Sequence, residues 1–119
     1  MNIEEFREYC ISKKGVTEEF PFDEVTLVFK VMGKMFALTG LDEDIPTYNL
    51  KCYPERALEL RERYNAVHPG YHMNKKHWNT IFSDATITKK LLQSWIDHSY
   101  DLVVNKLTKA QQKELNLLK

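Results

Sequence analysis

The stretch from Val67 to Thr80 carries the residue types in this chain that are best suited to chemistry or recognition. It holds three of the four histidines, one of the two tryptophans, a Pro69-Gly70 turn signal and the pair Lys75-Lys76. Imidazoles bind metals or move protons, and lysines contact phosphates. These residues indicate a functional surface. Their spacing matches no known catalytic constellation, so they do not predict a particular reaction.

The histidines are the candidate metal ligands, and they are His68, His72, His77 and His98. Zinc sites need three or four convergent ligands at defined spacing, and no HExxH or CxxC motif accompanies these side chains. We therefore predict no metal and no cofactor. His98 falls within a predicted helix, where a hydrogen-bonded packing role is expected.

Signatures of catalysis are missing from the sequence. There is no GxSxG elbow and no phosphate-binding glycine loop, since the four glycines are scattered singly. Cys52 follows a predicted strand and precedes a predicted helix, whose amino terminus would lower the pKa of a thiol. A buried core thiol is the favoured interpretation of Cys52. We predict a protein without enzymatic activity and without catalytic residues.

Length and composition predict one globular domain over residues 1–119, of which 43% are hydrophobic. No run approaches the ~20 apolar residues of a membrane helix, and the acidic amino terminus carries no export signal. Cys10 and Cys52 lie far apart in sequence, and we expect free thiols in a reducing compartment rather than a disulfide. The prediction is a cytoplasmic protein with no membrane partner, for which a monomer is favoured.

Charge is balanced in total but uneven along the chain. The 17 basic and 17 acidic residues argue against a broad surface that coats nucleic acid. Residues 1–50 hold five Lys or Arg against ten Asp or Glu, and residues 51–119 hold twelve against seven. Such halves make one basic and one acidic face if they segregate in space; two mixed surfaces are the alternative.

Hydrophobic periodicity predicts eight main elements, which are Ile3–Lys13 (helix), Thr26–Val31, Lys34–Thr39 and Pro46–Lys51 (strands), Glu55–Tyr64 (helix), Val67–Tyr71 and His77–Phe82 (strands) and Lys89–Leu107 (helix). Capping-box patterns begin the first helix at Asn2 and a short terminal helix at Thr108. The acidic segment Glu18–Asp23 is expected to be a connector. This order predicts an α+β two-layer sandwich, α-β3-α-β2-α, with helices on one face of an antiparallel sheet.

Four segments resemble successive motifs of the MmcQ/YjbR family, namely VMGKMFAL from Val31, LKCYPERALELRERY from Leu50, PGYHMNKKHWNT from Pro69 and IDHSYDLVVNKL from Ile96. The resemblance implies the same element order, related to type III secretion chaperones and frataxin-like sandwiches. It also implies DNA binding through a proposed double wing of β-hairpins. Tyr53 departs from the family pattern, which usually has an aspartate there to cap the helix, at a cost of about 1 kcal/mol.

DNA binding is therefore the predicted function, through basic hairpin turns and the open sheet face. The candidate contacts are Lys30, Lys34, Lys51, Lys75, Lys76, His77 and Asn79. Alternation places Lys30, Asn49 and Lys51 on the face opposite Phe29 and Leu50. His77 and Asn79 join that face if Trp78 points inward. The alternative for Lys75-Lys76 is that the pair only keeps an exposed turn soluble.

Two other interpretations remain open at this point. The open sheet face of a chaperone-like module would bind another protein, which exposure of Tyr48, Tyr71 or Trp78 would support and burial of Trp78 would weaken. The third is a small-ligand pocket formed by Tyr71, His72, Met73 and Trp78.

Overall fold

The computed structural model describes residues 1–71 and 73–118. Within them lie α1 (Ile3–Ile11), β1 (Val16–Glu19), β2 (Thr26–Val31), β3 (Lys34–Gly40), β4 (Thr47–Lys51), α2 (Pro54–Arg63), β5 (Val67–Pro69), β6 (Trp78–Phe82), α3 (Lys89–Asn105) and α4 (Lys109–Leu117). The strands form one antiparallel sheet of order β1-β2-β3-β4-β6-β5. The predicted α+β sandwich is confirmed, with β1 as an additional strand.

The core lies between the helices and one face of the sheet. Phe6 of α1 stacks on Tyr48 of β4 with 4.3 Å between ring centroids, and meets the edge of Phe29 at 5.9 Å. Ile96 and Val103 of α3 belong to the same buried cluster. Burial of these large side chains drives the docking of α1 and α3 onto the sheet, because each contributes on the order of 2 kcal/mol.

The strand that the sequence did not predict, β1, is held by backbone pairing and charge rather than by an apolar face. Its four residues pair with β2 from Val16 to Glu19. Glu18 bonds to Arg7 of α1 at 2.6 and 2.9 Å, and Glu19 forms an ion pair with Lys30. The expectation of a connector over 18–23 was therefore wrong at Glu18 and Glu19, which pair with β2 and whose carboxylates bind cations on both sides of the sheet.

The β2–β3 hairpin combines a tight turn with a bulge. Met32 and Gly33 adopt φ of 50° and 79°, as a two-residue hairpin turn requires. The register then shifts, because Lys30 pairs with Met35 while Phe29 pairs with Ala37. Phe36 is thus an inserted residue in β3, and its carbonyl must find a partner outside the β2–β3 ladder.

The sheet face away from the helices is less open than predicted. Val28, Leu38 and Thr80 on this face are buried. Residues from the loops after β1, β3 and β5 share a cavity with it. In the segments 1–71 and 73–118, none of the helices combines the length and the apolar character required to span a bilayer.

Candidate nucleic-acid interface

Three lysines from separate elements converge at one end of the sheet, which we call the basic end. Lys34 begins β3, Lys51 ends β4 and Lys106 is the C-cap residue of α3. Antiparallel pairing brings the start of β3 beside the end of β4. The three lysines line a cleft of ≈ 390 Å³ together with Met35, Trp78, Val103 and Leu107.

The positive charges of the three lysines at the basic end repel one another and are not paired with carboxylates of the described residues. Burial lowers the pKa of Lys51, and the positive charges of Lys106 and Lys34 lower this pKa further. Within residues 1–71 and 73–118, none of the three lysines lies within ion-pair distance of a carboxylate. The cleft therefore carries positive charge that no carboxylate of the described residues neutralises.

The turn before β6 lies at the same end, because Lys51 pairs with Trp78 across the β4–β6 ladder. Lys75 and Lys76 are exposed and His77 is partly exposed. Arg61 of α2 holds this turn, since its guanidinium donates to the carbonyl oxygens of Lys75 and Trp78. The exposed amino groups are therefore carried on a turn whose backbone is fixed.

The structure places the other two predicted contacts differently. Lys30 lies on the face opposite the helices, as predicted, but its ammonium group is paired with Glu19. Asn79 is 2% exposed, and its Oδ1 accepts from Arg61 at 2.7 Å. The β4–β6 register puts Asn79 opposite the core residue Leu50. Asn79 is thus a buried bridge between α2 and the sheet, out of reach of a nucleic acid.

Charges segregate between the two ends of the sheet. The loops at the end opposite the basic end follow β1 and β3, and they carry the acidic residues Asp23, Glu24, Asp42, Glu43 and Asp44. Five of the ten acidic residues in the first half of the sequence therefore lie at the end of the sheet opposite the lysine cleft. Acidic residues of the first half do not line the lysine cleft.

The residues of the predicted ligand pocket separate into two places. Tyr71 and Met73 line a cavity of ≈ 580 Å³ on the sheet face away from the helices. Trp78 lines the lysine cleft instead, where its side chain is 6% exposed. His72 lies outside the described residues.

The described histidines have separate surroundings. His68 packs edge-on against Phe82 with 5.0 Å between ring centroids, and His77 sits in the turn before β6. His98 of α3 is partly buried, and burial is the main cause that lowers its pKa. Within residues 1–71 and 73–118, no three His, Cys, Asp or Glu side chains lie close enough to share a metal ion.

The two cysteines are free and buried, as predicted for core thiols. Burial raises the pKa of Cys52, and this effect outweighs the opposing influence of Arg56. Burial raises the pKa of Cys10 more strongly. Both side chains therefore remain protonated thiols at neutral pH, and the interpretation of Cys52 as an activated nucleophile loses its physical basis.

Lys106 was not among the predicted contacts. Its position in the last turn of the predicted long helix was the available signal, because lysine near a helix carboxyl end interacts favourably with the helix dipole. Nothing in the sequence places that turn beside Lys51. The packing of α3 on β3 and β4 brings Lys106 to the cleft that Lys51 lines.

Fold and site together define a small antiparallel α+β domain with one basic and one acidic end. The chain belongs to the YjbR family, whose model matches residues 11–102. It is 33% identical over 115 residues to protein YjbR of Escherichia coli (strain K12), covering 97% of this chain and 98% of that protein. It is 40% identical over 96 residues to protein YbdF of Escherichia coli O157:H7, covering 81% of this chain and 79% of that protein.

Solved structures agree with this assignment. The crystal structure of Deinococcus radiodurans protein DR2400 matches with a TM-score of 0.90 at 43% identity, covering 98% of this chain and 88% of that chain. A crystal structure of a Pseudomonas syringae protein matches with a TM-score of 0.74 at 28% identity, covering 86% of this chain and 98% of that chain. The family resemblance and the fold predicted from it are confirmed. The names of these relatives state no activity.

Proposed function

We propose that this protein binds DNA weakly through the basic end of its sheet. The observation that carries the proposal is the convergence of Lys34, Lys51 and Lys106 on one cleft without a neutralising carboxylate in the described part of the chain. DNA affinity rests mainly on lysine and arginine contacts to phosphate. We propose no catalytic activity for the protein. We also propose that it is cytoplasmic, because free thiols such as Cys10 and Cys52 stay reduced in that compartment.

Lys51 gives a physical reason for an anion to bind here. Its charged form is disfavoured by burial and by the neighbouring ammonium groups. A phosphate in the cleft would supply the missing negative charge and raise the pKa of Lys51. Part of the free energy of phosphate binding thus comes from relief of repulsion within the free protein.

The two hairpins support a double-wing geometry. Lys34 follows the β2–β3 turn as the first residue of β3, and the turn between β5 and β6 carries Lys75 and Lys76. Both turns lie at the basic end, so a duplex that touches one wing is within reach of the other. Because the chain has no net charge, we expect few phosphate contacts and little sequence preference.

A fluorescence-anisotropy titration of a labelled duplex of about 20 base pairs tests the proposal. Three phosphate contacts give a slope of about −2.7 in log affinity against log salt, or about 40-fold weaker binding at ~200 mM than at ~50 mM salt. Each of Lys34→Gln, Lys51→Gln and Lys106→Gln should reduce the slope by about 1. Lys90→Gln, an equal change of charge on exposed α3 surface, is the matched control.

Negligible binding at both salt concentrations would reject the proposal. So would equal effects of Lys90→Gln and Lys106→Gln, because the affinity would then follow net charge rather than the cleft.

Protein binding through the open face is the second candidate, and exposed apolar side chains favour it. Phe22 is 65% exposed and Tyr71 is 52% exposed, while Tyr48 and Trp78 are buried. Phe22 and Tyr71 line the cavity on the sheet face away from the helices and not the lysine cleft, so the two candidates use different surfaces. A protein partner should be retained after nuclease treatment and lost with Phe22→Ser, whereas DNA binding should be unchanged by Phe22→Ser.

A further inference from the structure

The cavity on the sheet face away from the helices has the size of a ligand site. Its volume of ≈ 580 Å³ lies within the range that encloses small organic molecules. Leu38, Asn49 and Thr80 contribute to it from the sheet, and Tyr71 and Phe82 add aromatic rings. The cavity is therefore concave, mostly apolar and lined by a few polar groups.

A buried amide supplies a directed polar group. Asn49 is 8% exposed and lines the cavity. The hydroxyl of Thr80 accepts from the backbone N–H of Tyr71 at 3.1 Å and donates its own proton to Oδ1 of Asn49 at 2.5 Å. This fixes the amide so that Nδ2 is the free donor. In the parts of the chain that the structure describes, no group accepts a hydrogen bond from that nitrogen.

The cavity also carries negative charge. Thr47 donates to the Glu43 carboxylate at 2.6 Å, which holds the carboxylate against the cavity wall. Asp23 accepts from the backbone N–H groups of Val25 and Thr26, and these bonds lower its pKa. Among the described residues, no cation lies within ion-pair distance of either carboxylate.

We propose that this cavity binds a small organic cation, in which a protonated amine is joined to a flat aromatic body that carries a hydrogen-bond acceptor. The amine lies near Glu43, the aromatic body packs against the edge-to-face pair of Tyr71 and Phe82, and the acceptor faces Nδ2 of Asn49. Aromatic faces attract cations as well as aromatic rings. DNA phosphates are repelled from this acidic end, so the site is independent of the basic end.

The test uses two probes that share a body and differ in charge. The first is 5-methoxytryptamine, a cation, and the second is 5-methoxyindole-3-acetate, an anion. Each is titrated into ¹⁵N-labelled protein and followed by backbone amide shifts. The cation should shift the amides of Leu38, Tyr71 and Thr80 with a saturating curve, and the anion should bind at least about tenfold more weakly.

Two variants connect binding to the cavity. Glu43→Gln keeps a hydrogen-bond acceptor for Thr47 and removes the charge, so affinity for the cation should fall about two- to fivefold. Tyr71→Ala removes an exposed ring whose loss costs the fold little, and affinity should fall about two- to tenfold. Lys90→Gln, at a residue that does not line the cavity, should leave the affinity unchanged.

Three results would each overturn the inference. These are no saturable shift at the cavity amides up to about 5 mM cation, equal binding of the two probes, or unchanged affinity in Glu43→Gln. None of these results bears on DNA binding, which is measured with a different ligand and different variants.

Discussion

Ser99 of α3 accepts a hydrogen bond of 2.9 Å from the backbone N–H of Lys51. The same hydroxyl donates to the carbonyl of Phe36, the residue inserted into β3 by the bulge. The β3–β4 ladder ends at the pair of Ala37 and Leu50, so one buried side chain takes over where strand pairing stops. Ser99 thereby fixes the backbone of a lysine in the cleft.

Replacing Ser99 with alanine should destabilise the fold by about 1–3 kcal/mol, because two backbone groups lose their partner. Urea denaturation measures the change. Ser94→Ala is the control on the same helix, since the hydroxyl of Ser94 is exposed and bonds only to Leu91 of its own helix. We expect a change within about 0.5 kcal/mol for Ser94→Ala. Equal losses in the two variants would contradict the bridging role.

Replacing Tyr53 with aspartate should stabilise the protein. Tyr53 is the N-cap residue of α2 and makes no side-chain cap hydrogen bond, as the family comparison predicted. Aspartate would accept from the first turn and interact favourably with the helix dipole, adding about 0.5–1 kcal/mol to the free energy of unfolding.

The control for this change is Tyr53→Ala. Tyr53 also packs edge-on against His98 at 5.2 Å, and alanine removes this contact without adding a cap. The comparison by urea denaturation thus separates the cap from the ring. If the Tyr53→Asp variant were no more stable than the Tyr53→Ala variant, the missing cap would not limit the stability of α2.

His98 should make stability fall in mildly acidic solution. Burial lowers its pKa from 6.5, and the positive charge of Arg56 lowers it further, with Asp101 opposing. Between the folded-state pKa and 6.5 the unfolded chain binds more protons, so stability falls as the pH drops through this interval. Nε2 of His98 is buried and has no hydrogen-bond partner in the described structure, so the charged imidazolium would be poorly solvated there.

Two measurements check this expectation. In an NMR titration the imidazole of His98 should show a pKa below 6.5, and Arg56→Gln should raise that pKa. In denaturation experiments at about pH 7 and about pH 5.5, His98→Gln should lose less stability on acidification than the unchanged protein. An imidazole pKa at or above 6.5 would show that the ring is charged and solvated in the fold.

Gly15 and Gly33 form a matched pair for measuring how tightly α4 is docked. Both have positive φ, 72° and 79°, so alanine costs about 1–2 kcal/mol of backbone strain at either position. At Gly15 an added Cβ would lie 2.5 Å from Cδ1 of Leu115, whereas at Gly33 nothing lies within 4 Å. Gly15→Ala should therefore cost about 1–3 kcal/mol more than Gly33→Ala by denaturation. Equal costs would show that α4 moves away freely.

The sequence predicted the elements whose apolar spacing is regular. The bounds of β2 match the prediction at both ends, and the caps at Asn2 and Thr108 bond as their patterns indicate. The strand β1 was missed because Glu18 and Glu19 are stabilised by Arg7 and Lys30, and no local pattern contains those partners.

For the candidate site, the sequence could predict only which face of the sheet a residue lies on, and only where side chains alternate regularly along a strand. Alternation placed Lys51 and Asn49 on one face correctly, since Phe29 and Leu50 lie in the core. It left the orientation of Asn79 conditional on Trp78, and only the register of β4 with β6 resolves that condition. Lys106 joins the cleft through tertiary packing of α3, which no local spacing contains.

The two outermost strands bear on how this protein avoids aggregation. The strand β1 has four residues with glutamate at its last two positions, and β5 has three residues and ends in Pro69, which has no N–H to donate. Edge strands that are short, charged or contain proline make it unfavourable for a strand of a second copy to add to the sheet. Neutralising Glu18 and Glu19 would remove one of these protections and should make concentrated solutions prone to fibrous self-association.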